Sequence, residues 1–421
     1  MAKSTEHEEN AMNRAYLPRM MEPLIPELSM EYPAILLVGP RQTGKTRMLR
    51  HIMEGTARHY VSLDDLTNRA LAKQDPAMFL QLHPAPVLID EVQYAPELFS
   101  QIKKEADERR EPGAFWLTGS QPFRLMKLAG ESLAGRVAVL RMDPLSHREA
   151  CGLPAAGQFT VSSTAFRQRV SNCPPMTTPE IFAEIWRGSL PGLVSGEFSN
   201  RDVFYSSYVQ TYIERDVRDI FPGVDPIAFT HLLGAVAARA GQEVTIHEIA
   251  KDLGVGDTSV RTGLGVLEKS DVIHYLHPYS SNALKRTVKS PKLYFFDTGL
   301  VAYLTRWSSP ETLEAGAMSG AIFENWAVNE IRRSYSQLGL NPPLWYYRDR
   351  DGREIDLVIE RDGALQPVEI KKSASPKRDM TASFRMLDRA PLPRGTGAVV
   401  CMADSLGAVA ADALVMPAWA L

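Results

Sequence analysis

The sequence predicts an α/β protein, with a helix-covered parallel sheet in its first third and a separate α/β unit at its C-terminal end. Between Ala34 and about Arg148, short apolar runs alternate with amphipathic helical stretches, the pattern of a parallel sheet between helices. From about Pro226 to Pro291 the texture changes to two short helices followed by a strand. After Lys292 one long helix precedes four further strands. At 421 residues the chain exceeds one compact core, so several domains are expected.

Taken in order, residues 1–22 read as a tail leading into a first helix, polar and acidic over Met1–Asn10. Residues 23–150 hold the apolar runs Ala34–Val38, His59–Leu63, Pro86–Ile89, Ala114–Leu117 and Val137–Leu140. Residues 151–225 read as a linker and helical lid. Their first part, to about Pro179, is rich in Gly, Pro, Ser and Thr and predicts a flexible connection, after which helical periodicity returns from Ile181 to Ile220. Residues 226–291 form the middle unit. Residues 292–421 combine a helix from about Met318 to Ser336 with strands at Trp345–Arg348, Glu354–Glu360, Gln366–Lys371 and Gly397–Met402.

Bulk composition narrows the function classes. The formal net charge is −3 and the isoelectric point about 6.3, so any nucleic-acid surface must be a local basic patch. Cys151, Cys173 and Cys401 are odd in number and far apart, which makes neither a disulfide framework nor a zinc site by spacing. They suit free thiols in a reducing compartment. The N-terminus lacks a signal peptide's apolar stretch, and no apolar run is long enough for a membrane span. A cytoplasmic protein without a membrane partner is the expectation.

The chemistry begins at Gly39-Pro40-Arg41-Gln42-Thr43-Gly44-Lys45-Thr46, which fits the phosphate-loop pattern G-x-x-x-x-G-K-[ST]. It follows the apolar run Ile35–Val38 and opens the helical stretch Arg47–Met53. That context lets backbone N–H groups and a helix N-terminus surround phosphates, with the glycines permitting close approach. Lys45 is expected to reach the β- and γ-phosphates of ATP, and the Thr46 hydroxyl to ligate Mg²⁺. The strand Val87-Leu88-Ile89 ends in Asp90-Glu91. Asp90 at the sheet edge suits holding Mg²⁺, and Glu91 suits orienting or deprotonating the attacking water. A third strand ends in Thr118-Gly119-Ser120-Gln121, where Ser120 or Gln121 would lie beside the γ-phosphate. Arg136, with Arg215 as competitor, is the candidate for stabilising transition-state charge, from the same subunit or from a neighbour in a homo-oligomer. A structural ion pair is the alternative for both arginines.

These segments, with Leu88–Gln93, Leu133-Ala134-Gly135-Arg136, Tyr212–Asp216 and Phe296-Asp297-Thr298-Gly299-Leu300, resemble one large prokaryotic family. It is the AAA-type ATP-binding proteins whose C-terminal half is catalogued only as a domain of unknown function. The resemblance covers most of the chain except 150–179, and it implies an AAA-like P-loop NTPase core assigned as an ATPase. The segment Gly188-Ser189-Leu190-Pro191-Gly192 departs from that family's usual double-glycine turn.

In the middle unit, Thr245–Val255 and Asp257–Glu268 read as two helices about a glycine turn, with apolar positions at 249, 253, 260, 264 and 267. Strands Val272–Leu276 and Lys292–Phe296 would make a wing, and Lys285, Arg286, Lys289 and Lys292 would make it basic. A winged helix-turn-helix binding DNA, with Thr258, Ser259, Arg261 and Lys269 as readers, is one reading. A protein-binding winged helix is the other.

In the last third, Asp356 lies on one strand, while Glu369 and Lys371 are two apart on the next and share a face. Joined through Arg361-Asp362-Gly363, the strands would bring both carboxylates together to bind a metal, with Lys371 beside the attacked phosphate. Glu324, from the preceding helix, would be a further acidic ligand. The set resembles the PD-(D/E)-x-K nuclease superfamily, which implies a restriction-endonuclease-like domain; a solvated charged hairpin is the alternative. Two functions follow: an ATPase driving a metal-dependent nuclease on DNA or RNA, or a regulatory ATPase whose last domain only binds DNA or a protein.

Overall fold

The computed structural model of the chain describes residues 16–153, 155–213, 225–280, 290–349 and 351–421. The first domain holds strands β1 (Ala34–Val38), β2 (His59–Ser62), β3 (Val87–Asp90), β4 (Phe115–Thr118) and β5 (Val137–Arg141). They form one sheet in the order β2-β3-β4-β1-β5, parallel throughout. Alternate residues of β1 bury on opposite faces, Ala34, Leu36 and Val38 in one apolar cluster and Ile35 and Leu37 in another. Helices cover both faces, so the strands read as continuous apolar runs.

The middle unit contains the helices Pro226–Ala237, Ile246–Leu253 and Asp257–Lys269. Strands β6 (Gln242–Glu243), β7 (Ile273–Leu276) and β8 (Lys292–Phe295) complete it in the order β6-β8-β7. Gly254, at φ 66°, ends the first helix of the expected pair in the left-handed region. The expected boundary at 291/292 falls inside a sheet, because β8 pairs antiparallel with both β6 and β7.

The C-terminal unit places the helix Ser319–Ser336 against a six-stranded mixed sheet. Its strands are β9 (Leu344–Arg348), β10 (Glu354–Arg361), β11 (Ala364–Lys371), β12 (Gly397–Cys401), β13 (Gly407–Ala410) and β14 (Ala413–Pro417), in the order β13-β14-β12-β11-β10-β9. Asp362 and Gly363, at φ 50° and 74°, make the tight turn between β10 and β11. Ile322, Phe323, Trp326, Val328 and Ile331 of the helix join the middle unit and this sheet in one apolar cluster. The two units share this cluster, and burying each such side chain stabilises by about 1.5–3 kcal/mol.

One expectation is corrected. The stretch from 151 to 179 is not a loose connection: it carries the helix Ser163–Ser171, and Phe159 and Phe166 are fully buried. Tyr335 donates to the Phe159 carbonyl at 2.6 Å, and the Phe159 N–H donates to Ser334 Oγ at 2.8 Å. At the end of the N-terminal tail, Arg19 and Met21 are buried. Among the described residues no helix is long and apolar enough to cross a membrane.

Candidate functional site

The phosphate loop runs from the end of β1 into the helix Lys45–Met53. Gly39 has φ 146°, and a Cβ there would lie 2.2 Å from the Met142 carbonyl oxygen, so only glycine fits. Gly44, at φ 89°, caps the helix in the left-handed region. Lys45 Nζ donates to the carbonyls of Gly39 at 2.9 Å and Pro40 at 2.7 Å, and Thr43 Oγ1 donates to Pro40 at 3.0 Å. The ammonium thus spans the loop where phosphate oxygens would take its bonds. Burial lowers Lys45 to about 8, opposed by the charges of Glu91, Asp271 and Asp90. Arg41 and Gln42 complete the loop, Gln42 at φ 60°.

The acidic half of the site adjoins it. Thr46 Oγ1 lies 3.0 and 3.1 Å from the two oxygens of Asp90, and the Tyr60 hydroxyl donates to Asp90 at 3.0 Å. Burial, reinforced by Glu91, raises Asp90 to about 6. A half-buried threonine hydroxyl in contact with a buried carboxylate is a donor set that a Mg²⁺ ion fits. Glu91 itself sits at φ 54°, a strained conformation for a non-glycine residue. Ser120 Oγ donates to Glu91 Oε2 at 3.0 Å, and the buried Gln93 amide donates to both Glu91 and Ser120. Gln121 is buried at the start of the helix Pro122–Ser132, beside Ser120.

Several members of this site were given no role in the sequence. Gln93, though inside the Leu88–Gln93 segment, and Tyr60 are known by the carboxylates they hold. Arg19 donates to the Thr43 carbonyl at 2.8 Å, to the Asp143 carbonyl at 2.7 Å and to Glu149 at 3.0 Å, tying the loop to its surroundings. Asp271 reaches across from the middle unit to pair with Arg141 at the end of β5. Arg332 of the long helix donates to Asp143 at 2.7 Å. The second half of the chain therefore touches the rim of the phosphate site directly.

Arg136 lies elsewhere. It immediately precedes β5, and its carbonyl accepts from the N–H of Ala34 at the start of β1. The phosphate loop follows the opposite end of β1, roughly 16 Å away at about 3.3 Å per residue. Arg136 pairs with Asp107 there, so it cannot reach the phosphates of its own subunit. The reading in cis is corrected on that ground. Arg215 lies outside the described residues, as do Lys285, Arg286 and Lys289 of the expected basic wing. Lys292 is not a wing cation: it is 3% exposed and faces Glu324 and, at 2.8 Å, Glu354. Lys269 packs its ammonium over the Phe123 ring of the first domain at 4.5 Å.

The C-terminal set does converge. Lys371 Nζ lies 3.1 Å from Asp356 Oδ2 and 2.6 Å from Glu369 Oε1. The antiparallel register Leu357↔Val368 puts Asp356 and Glu369 one step further along neighbouring strands. The Ile370 N–H donates to Asp356 at 2.8 Å. Burial, with Asp356 adding to it, raises Glu369 to about 8, while burial raises Glu324 to about 7 against the opposing charge of Lys292. Glu324 accepts from Lys292 and, at 2.7 Å, from the Tyr294 hydroxyl. Among the described residues, the three His, Cys or acidic side chains whose ligand atoms all fall within 4.8 Å of one another are His147, Cys151 and Glu184. Glu324 thus does not close on Asp356 and Glu369 as a third metal ligand, because Lys292 holds it. Asp356 and Glu369 remain together on Lys371, while Glu324 and Glu354 are taken up by Lys292.

Family models match three segments of the chain. One described as an AAA domain covers residues 31–151, and two described as domains of unknown function cover 179–311 and 319–421. Uncharacterized proteins of Mycobacterium tuberculosis and Mycobacterium bovis are each 29% identical over 359 residues, covering 85% of this chain and 74% of theirs. Among solved structures, a Walker-type ATPase of Pyrococcus abyssi is 16% identical with a TM-score of 0.41, covering 68% of this chain and 94% of that one. The Thermotoga maritima RuvB Holliday junction branch migration motor is 17% identical with a TM-score of 0.29, covering 64% and 93%. These are remote likenesses and assign no function. The phosphate loop, the parallel sheet and the AAA-domain match make the first third of the chain an ATPase-like P-loop domain.

Proposed function

We propose that the chain hydrolyses ATP with Mg²⁺ in its first domain and uses that cycle to act on nucleic acid through a metal-dependent nuclease site in its last. The observation carrying the second half is the convergence of Asp356, Glu369 and Lys371, with Lys371 half-exposed at the rim. In the first domain, Lys45 and the loop N–H groups bind the phosphates, and Thr46 and Asp90 hold the metal. Glu91, set by Gln93 and Ser120, orients and deprotonates the water. In the last domain, Asp356 and Glu369 hold a divalent metal, which activates water and stabilises charge at the phosphate. Lys371 adds its charge on the same face. The middle unit, a winged helix on this reading, grips DNA with the exposed Thr258, Ser259 and Arg261.

The test is incubation of the full chain with single- and double-stranded DNA and RNA, Mg²⁺ or Mn²⁺, with and without ATP. Cleavage that needs metal supports the reading, and its absence under every condition rejects it. One observation favours a second reading: Lys292 neutralises Glu324, which would be a ligand in an active site. On that reading the last domain is inactive and the protein is a regulatory ATPase that binds DNA or a protein partner.

Arg136 is engaged in an ion pair with Asp107, and as a finger it could serve only a neighbouring subunit. Arg136→Ala protein mixed with Lys45→Ala protein is then expected to recover ATPase activity that neither has alone, because one mixed interface carries both an intact loop and an intact arginine. A monomer with full ATPase activity would rule the role out.

A further inference from the structure

The three cysteines are far apart in sequence, and only the fold shows what one of them faces. Cys151 follows His147 by one helical turn, at the C-terminal cap of the short helix His147–Ala150. Glu184 enters from the helix Thr178–Arg187. His147 Nδ1 lies 2.8 Å from Glu184 Oε2 and 3.8 Å from Cys151 Sγ.

The surroundings orient these groups as a ligand set is oriented. His147 Nε2 lies 3.0 Å from the Trp419 carbonyl, which can only accept. Nε2 therefore carries a proton, and Nδ1 faces Glu184 and Cys151. A histidine ligand held by its second nitrogen on a backbone carbonyl is the usual outer support of a metal site. The other oxygen of Glu184 accepts from Trp326 Nε1 at 3.3 Å, which fixes the carboxylate. The His147 N–H donates to Glu330 at 2.8 Å, and a Ser146–Glu149 capping box fixes the helix start.

We propose that His147 Nδ1, Cys151 Sγ and Glu184 Oε2 bind one divalent cation of the zinc class. The nitrogen–sulfur–oxygen set selects a borderline-soft ion, since Mg²⁺ and Ca²⁺ take oxygen ligands only. Bonds of about 2.0–2.3 Å in a tetrahedral site put ligand atoms roughly 3.3–3.8 Å apart. The Nδ1–Sγ separation already has that value, and the carboxylate must withdraw by about half an ångström when the ion replaces the proton shared with Nδ1. Cys151 is exposed, so the fourth position opens to water on its side. Cys173 is not a ligand: its Sγ lies 3.9 Å from Nε2, on the other edge of the ring, and donates to the Trp419 carbonyl at 2.8 Å. The ion would pin the exit of the P-loop domain to the helix Thr178–Arg187, beside the C-terminus. Binding displaces protons from His147 and Cys151, so affinity rises with pH.

Cobalt titration of the chelator-treated full chain tests this. One equivalent of Co²⁺ is expected to produce a thiolate-to-cobalt charge-transfer absorption, and Zn²⁺ to abolish it by competition. Ions at the oxygen-lined sites of Asp90 or Asp356 give no such band, so the signal reports this site alone. Cys151→Ser, at an exposed position, is expected to remove the band while the protein stays folded by circular dichroism. Glu184→Gln is expected to weaken Co²⁺ binding at least tenfold, and Cys173→Ser to leave the band in place. No band with wild-type protein, or a band surviving Cys151→Ser, overturns the assignment.

Discussion

Glu91→Gln protein is expected to bind ATP as the wild type does while hydrolysing it roughly 10²–10⁴-fold more slowly, the usual contribution of a positioned general base. The change is isosteric and keeps a hydrogen-bonding group beside Ser120, which donates to Glu91 at 3.0 Å. The phosphate-binding parts, Lys45 and the loop glycines, are untouched, so affinity should hold. Lys45→Ala is expected to act differently and remove most ATP affinity, because the ammonium that bridges the Gly39 and Pro40 carbonyls is the loop's own cation. Burial lowers Lys45 to about 8, and phosphate charge would favour its protonated form. ATP binding measured by fluorescence titration and turnover measured by phosphate release separate the two variants. Wild-type turnover in Glu91→Gln would remove that residue from the mechanism.

The second large effect belongs to the last domain. Asp356→Ala and Glu369→Ala are each expected to abolish nucleic-acid cleavage and to leave ATP hydrolysis nearly unchanged, since the Lys45–Asp90–Glu91 site lies in another domain. Lys371→Ala is expected to keep the metal and lose most cleavage, as it removes charge at the phosphate but no ligand. The pH dependence has a definite sign. Burial holds Glu324 at about 7 and Glu369 at about 8, so at neutral pH Glu369 keeps a proton that a metal must displace. Metal affinity should therefore rise as pH rises from about 7 to about 8, with proton release on binding. Calorimetry in buffers of different ionisation enthalpy measures this directly. Metal binding that weakens over the same range would exclude Glu369 as a ligand. Lys292→Ala tells the two functional readings apart: it frees Glu324 and should strengthen metal binding if the site is a competent one.

How far the sequence reaches depends on whether a feature is local. The phosphate loop was legible because glycines, Lys45 and Thr46 are contiguous between a strand and a helix, and the steric demand at Gly39 is written into the motif. The pairing of Asp356 with Glu369 was legible because a two-residue turn sets the register of adjacent strands, and period-two alternation puts Glu369 and Lys371 on one face. The expected flexible segment from 151 to 179 failed for a tertiary reason: Phe159 is bonded to Ser334 and Tyr335, residues far along the chain, and Phe166 packs on Phe159.

The sequence by itself determined the nucleotide loop, the acidic strand end and the strand pair carrying Asp356 and Glu369, since each is dictated by neighbours in the chain. Only the tertiary structure decided that Arg136 stands at the opposite end of the strands from the loop, that Lys292 is buried on Glu324, that Gln93 and Tyr60 hold Glu91 and Asp90, and that Arg19 supports the loop. It alone brought His147, Cys151 and Glu184 together and set Asp271 beside Arg141. A charged or ligating side chain takes its role from the charges and burial around it, and those come from residues distant in sequence that packing brings within a few ångströms.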